Sequence, residues 1–152
     1  MYHAVIATKI GNLGIIHEQG VLKNIDFDVK QKSFCKNDVG MLNISKQIEN
    51  YFTHEKHSFD LKVDPEGTDF QIRVWKALQS IPYGETRTYG EVATQLDSSA
   101  RAVGNACRRN PIPIVIPCHR VVAKTGIGGF SGQTEGFQID RKQALLKLES
   151  AS

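Results

Sequence analysis

Residues 88–110 read TYGEVATQLDSSARAVGNACRRN. This stretch predicts two short helices separated by a tight break. Thr88 stands three residues before Glu91, the spacing at which a hydroxyl and a carboxylate cap a helix start reciprocally. Tyr89, Val92, Ala93 and Leu96 then give the first helix one inward face. The "DSS" at 97–99 is a break made of helix-capping residues. The second helix, ARAVGNACRRN, closes at Asn110-Pro111, because a residue before proline is pushed out of the helical region. Two short helices with a tight turn make a helix-turn-helix candidate.

On the second helix Arg101, Asn105 and Arg108 are four and then three residues apart, so they share a face. Val103 and Cys107 fall on another face, and Ala102, Gly104 and Ala106 are small enough to let something bulky approach. An Arg/Asn stripe with small neighbours suits a DNA groove. The plainer alternative is a solvated polar face on an ordinary helix pair, and pattern alone favours it.

Outward from this core, Thr68 precedes Gln71 by three, a second capping-box spacing. Phe70, Val74, Trp75 and Leu78 line one face of the helix it starts, and "IPYGE" at 81–85 is a turn. The first third is β-rich: YHAVIATKI, LGIIHEQG and VLKNIDFDV are β-branched runs, with hairpin signals at "GN" and "EQG". MLNISKQIENYF follows as an amphipathic helix with Leu42, Ile48, Tyr51 and Phe52 inward. FDLKVDPEGT reads as a last strand and a linker, and Pro65 and Gly67 mark a boundary. A C-terminal helix, QIDRKQALLKLE, turns Ile139, Leu145, Leu146 and Leu148 inward. The expected fold is α/β of the α+β kind. A β-rich N-terminal domain spans 1–65, and a helical domain carrying the helix-turn-helix spans 66–152.

The 152 residues suffice for one large domain or two small ones, and 40% hydrophobic with 23% charged residues is an ordinary globular balance. No apolar run is long enough to span a bilayer, and the N-terminus lacks a signal-peptide layout. A cytoplasmic protein with no membrane association is expected. Three scattered cysteines and no CxxC pair argue against a disulfide framework and against a four-cysteine zinc site. The net charge of +3 lies wholly beyond residue 65, and no arginine precedes Arg73. Arg101, Arg108, Arg109 and Arg120 gather around one cysteine in sequence, which raises the nucleic-acid reading.

That cysteine is Cys118, in IPIVIPCHRVV. The thiolate is the reactive form, and nearby cations favour it. His119 and Arg120 are its neighbours, although adjacent residues on a strand point to opposite faces. Of His3, His17, His54, His57 and His119, only His119 lies in the arginine-bearing half. The alternative is a small buried thiol, which the apolar approach run favours on local grounds. Cys107 reads as packing, and Cys35 as an incidental residue in a polar loop.

IPCHRVV, preceded by RRNPIPIV and followed by GGFSG, resembles the O6-alkylguanine-DNA alkyltransferases, the methylated-DNA–protein-cysteine methyltransferases. GTDFQIRVWKALQSIPYGETRTYGEVA resembles the same family in the same order, so the likeness runs from about Gly67 to Glu149. The resemblance implies that Cys118 accepts an alkyl group from O6-methylguanine, and from O4-methylthymine, in one irreversible turnover. His119 would be its base through a water, Glu149 would orient the histidine, and Asn110 would brace the turn. Tyr89 would donate to the departing base. Arg101 would take the place of a flipped base, with Ala102, Asn105, Arg108, Arg109 and Arg120 on the DNA. Val121, Gly129, Phe130 and Ser131 would line the base pocket, and Gly128 and Gly132 would let the loop approach closely. The helix-turn-helix would dock in the minor groove of alkylated duplex DNA. A monomer without cofactor is implied. Some members carry zinc in the N-terminal domain, but Cys35 is the only cysteine there, so no metal is expected.

The residues suit that chemistry. Displacement at carbon calls for a soft nucleophile, and a thiolate is one. A lesion inside the duplex must be flipped out to be reached. A thioether product offers water no polar bond to cleave. This chain differs from many members in a shorter AKTGIGGFSG loop, in Phe130 for tyrosine, and in Asn105 and Arg109 for small residues. Three other readings compete. A silent binder of alkylated DNA would lack Cys118. A transcription factor would leave PCHR unexplained. A cysteine hydrolase would need an oxyanion hole and gives no reason for the arginine stripe.

Overall fold

The β-branched runs of the first 26 residues form an antiparallel meander, β1 (Ala4–Thr8), β2 (Gly11–Glu18) and β3 (Val21–Asp26). At the second turn Gln19 and Gly20 both have positive φ, 52° and 82°, the two-residue geometry whose twist matches the flanking strands. The first turn sits earlier than "GN" suggests: Gly11 already pairs with Thr8, so Lys9 and Ile10 make the bend. The structure is a computed structural model that describes residues 1–54, 58–124 and 137–150. It packs as two units, Met1–Glu66 and Gly67–Ser152.

In the first unit the sheet order is β3-β2-β1-β4, where β4 is the pair Phe34–Cys35 beside β1. Cys35 is therefore on an exposed edge strand rather than in a loop. FDLKV is not a strand. It adds one isolated bridge, Leu22 to Val63, held by backbone bonds from Leu22 to Lys62 and from Asp64 to Leu22. Helix α1 (Val39–Phe52) starts where the Asp38 carboxylate accepts the Met41 N–H, and it packs on β1. Its inward row is Met41, Ile44, Ile48, Tyr51 and Phe52. Leu42, expected inward, is 48% exposed, because it lies one residue off that row.

In the second unit α2 (Asp69–Gln79) and α3 (Tyr89–Gln95) both begin with complete capping boxes, Thr68/Gln71 and Thr88/Glu91. α2 buries Val74, Trp75 and Leu78, with Phe70 half-buried. The Trp75 indole N–H donates to the Ala106 carbonyl at 2.9 Å, tying α2 to α4 (Ala100–Arg108). A Cβ at Gly67 would stand 2.5 Å from the Trp75 ring, so only glycine lets the chain pass there. α3 packs against α4, completing the helix-turn-helix, and Arg73 donates to the Leu96 carbonyl where α3 ends. Val92 and Ala93 are buried, while Tyr89 and Leu96 are half-buried.

A parallel two-stranded ladder was not legible in the sequence. β5 (Arg87–Thr88) pairs with β6 (Val121–Val122), joining the start of α3 to the chain just after Cys118. α5 (Phe137–Ser150) buries Ile139, Leu145 and Leu148, with Leu146 only half-buried. The architecture is α+β.

Candidate active site

The chain between α4 and β6 is a chain of tight turns. Asn110 follows the C-cap of α4, and its side chain bonds twice to the backbone of the turn. Nδ2–H donates to the Ile116 carbonyl at 2.8 Å, and Oδ1 accepts the Ile112 N–H at 3.0 Å. Within that bracket Ile114 has φ 76°, a rare conformation for a β-branched residue. Pro117, at φ −82° and ψ 68°, centres an inverse γ-turn closed by the Cys118 N–H on the Ile116 carbonyl at 2.8 Å. A 3-10 turn over Cys118–Arg120 follows. The three residues are thus not on a strand, and the opposite-face rule does not separate them. All three are buried.

His119 donates or shares a proton through Nε2 with Glu149 Oε2 at 2.6 Å, with both side chains almost wholly inaccessible. Its Nδ1 is buried and has no hydrogen-bond partner among the described residues. Burial pushes His119 below the ordinary histidine value, against the pull of Glu149, and the Arg120 and Lys142 charges push the same way as burial. Burial would raise the Glu149 carboxyl, but the hydrogen bonds and charges of His119 and Arg120 outweigh it and hold it at about 2. Burial raises the Cys118 thiol, while the Asn110 hydrogen bond and the Lys142 charge pull it back. These shifts favour a protonated thiol at Cys118 and a neutral imidazole at His119.

Arg120 was expected on the DNA. Instead it is 7% exposed, with Nε 2.8 Å from Glu149 Oε1 and Nη2 2.9 Å from Oε2. Its desolvated fork needs a carboxylate, and Glu149 supplies one.

Lys142, on α5, is a site residue that the sequence reading missed. Its side chain is fully buried, and Nζ donates to the Val121 carbonyl at 2.7 Å and to the Tyr89 hydroxyl at 3.5 Å. Burial lowers its pKa to about 8, although negative charge at Cys118 or Cys107 would favour the cation. Burial also raises the Tyr89 phenol, which stays protonated as a donor. Cys107 is buried with its thiol raised, first by burial, which fits packing. Val121 takes part through its carbonyl, its side chain being buried. Gly129, Phe130 and Ser131, with Gly128 and Gly132, lie outside the described residues.

The stripe on α4 is exposed as its spacing requires: Arg101, Asn105 and Arg108 face solvent, as does Arg109 at the C-cap, with Ala102 half-buried between them. Asn105, Arg108 and Arg109 line an open groove of about 500 Å³ with Ala102, Thr68 and Gln71. Ser99 caps the helix by accepting the Ala102 N–H at 3.1 Å. Among the described residues no three His, Cys, Asp or Glu side chains are grouped to hold a metal ion, and no helix is long and apolar enough to cross a membrane.

The family described as 6-O-methylguanine DNA methyltransferase, DNA binding domain, matches residues 69–151. The methylated-DNA–protein-cysteine methyltransferase of Methanosarcina acetivorans is 43% identical over 159 residues, covering 99% of this chain and 99% of that one. The crystal structure of Mycobacterium tuberculosis O6-methylguanine methyltransferase aligns with a TM-score of 0.84 at 40% identity, covering 99% of this chain and 94% of that one. A crystal structure of Mycobacterium tuberculosis OGT in complex with DNA gives a TM-score of 0.82 at 43% identity, covering 97% and 91%. With a matched domain over more than half its length and full-length relatives above 40% identity, the chain belongs to the methylated-DNA–protein-cysteine methyltransferase family.

Proposed function

We propose that the chain repairs alkylated duplex DNA by moving the alkyl group of O6-methylguanine, and of O4-methylthymine, onto Cys118. The observation that carries this reading is the buried Cys118–His119–Glu149 arrangement, with His119 Nδ1 free of other partners. His119 takes the thiol proton through a water, and Glu149 steadies the imidazolium that forms. The sulfur bonds to the alkyl carbon as the carbon–O6 bond breaks, and its electron pair leaves with the guanine. Tyr89 donates to the departing base. Lys142 bonds the same phenol oxygen, which turns its O–H toward the base and makes it a better donor. The thioether cannot be hydrolysed, so each chain acts once.

The exposed face of α4 docks on the duplex, in the minor groove, as a monomer, with Arg101 filling the gap left by the flipped base. Asn105, Arg108 and Arg109 contact the backbone. Because phosphates carry the affinity, binding weakens as salt rises. The test is intact-protein mass after incubation with a duplex containing O6-methylguanine, beside Cys118→Ser. One methyl gained per wild-type chain and none by the variant is the expected result. Retained duplex binding with no mass gain would leave a protein that flags lesions without removing them.

A further inference from the structure

Arg120 has no part in the steps above, yet it is anchored on three sides. Its Nε and Nη2 grip both oxygens of Glu149, and Nη1 donates to the Ile81 carbonyl at 2.7 Å. The Tyr83 ring centroid lies 5.7 Å from its Cζ, and the Tyr83 hydroxyl donates to the Leu148 carbonyl at 3.3 Å. Glu149 Oε2, which accepts from Nη2, is also the oxygen that meets His119 Nε2. One carboxylate oxygen thus serves two partners.

We propose that Arg120 is a positioning residue for alkyl transfer: it fixes the Glu149 carboxylate and, by sharing Oε2 with His119, keeps the imidazole neutral until the thiol proton arrives. The inference rests on the alkyl-transfer reading. A carboxylate bound to His119 alone would pull the ring toward a resting imidazolium, which cannot accept a proton. A guanidinium that is always charged satisfies Oε1 wholly and Oε2 in part, so that pull is divided. The other charged groups acting on His119 are Glu149 and Lys142, both from α5. The residues that α2 buries, Val74, Trp75, Ala77 and Leu78, bring no charge. Burial, Arg120 and Lys142 all lower His119, and Glu149 alone raises it.

The experiment is the pH dependence of the single-turnover rate at saturating O6-methylguanine duplex. In Arg120→Met the acid limb should move up by about one pH unit, as expected for removing a cation beside the titrating pair. Arg120→Lys should return the limb to its wild-type place with a rate several-fold lower, because an ammonium cannot fork across the carboxylate. A limb that stays put in Arg120→Met overturns the proposal. Should that variant not fold, Arg120→Lys is compared in the wild-type and Glu149→Gln backgrounds. Slowing confined to the wild-type background supports the coupling, and equal slowing in both overturns it. A wild type that gains no methyl group removes the underlying reading, whereas transfer with an unmoved limb removes only this inference.

Discussion

Lys142 is a full ammonium-bearing side chain with no exposed surface, held by the Val121 carbonyl and the Tyr89 hydroxyl. Replacing a buried charge by an apolar side chain of similar length often leaves stability unchanged or higher. Lys142→Met should therefore keep its denaturant midpoint at neutral pH while its transfer rate falls, by no more than the roughly hundredfold worth of a positioned proton donor, because Tyr89 remains but loses the partner that orients it. Loss of both together would make Lys142 merely structural. The sign with pH follows from its depressed value. Between about 8 and the ordinary 10.5 the unfolded chain holds this proton and the folded chain does not, so stability rises with pH across that window. The variant should lose that rise. A signal for Lys142 did exist in the sequence: it lies three residues from both Ile139 and Leu145, on the inward row of α5. Arg120 was misplaced for the opposite reason. It was grouped with the α4 arginines by nearness in sequence, while its partner Glu149 lies 29 residues on.

Elements with their own local signals were legible, and those that exist only through a partner were not. Both capping boxes and the stop at Asn110-Pro111 are written within a few residues. β4, β5 and β6 are two residues each, too short for any periodicity, and each depends on the strand beside it. The bracket before Cys118 was only partly legible: Asn110 was implied by family likeness, but the left-handed Ile114 and the 3-10 turn were not. Asn110→Ala removes both bonds that span this bracket and should destabilise the second unit by about 2 kcal/mol. Urea unfolding followed by Trp75 fluorescence checks it, and an unchanged midpoint would mean that the turn is held by its apolar packing instead. On α4 the prediction separates docking from chemistry. Arg101→Ala should slow repair of a methylated duplex far more than reaction with free O6-benzylguanine, since only the duplex must hold a base out of its stack. Equal losses in both assays would count against the filling role. Arg108→Ala should instead weaken duplex binding across sequences and lower the salt slope by about one.

Across the whole molecule, the groups that titrate on the acid side fall into different units. In the first unit His3 accepts the His17 N–H at 3.1 Å, and the two rings meet edge-on at 4.8 Å. Burial, then the neighbouring His17, lowers His3 below its ordinary 6.5. The unfolded chain therefore takes up this proton first. The stability contributed at His3 is complete above 6.5 and drains as pH falls below it. In the second unit the governing carboxylate is Glu149, held at about 2 against an ordinary 4.5. Its contribution is complete above 4.5 and drains as pH falls from there toward 2, whereas His119 in the same unit, lowered by burial, drains from 6.5 downward. The chain's one tryptophan, Trp75, is buried in the second unit, so its emission reports that unit alone. Acid titration should then show amide exchange in β2 and β3 quickening below about pH 6.5, while Trp75 emission follows the second unit's own losses, at His119 from the same pH and at Glu149 below the ordinary carboxylate range. His3→Phe should remove the change in β2 and β3 and leave the Trp75 transition where it is, because the aromatic ring keeps its place without a titrating nitrogen. A Trp75 transition that also shifts in His3→Phe would mean that the two units unfold as one cooperative body, with stability set by the weaker of them.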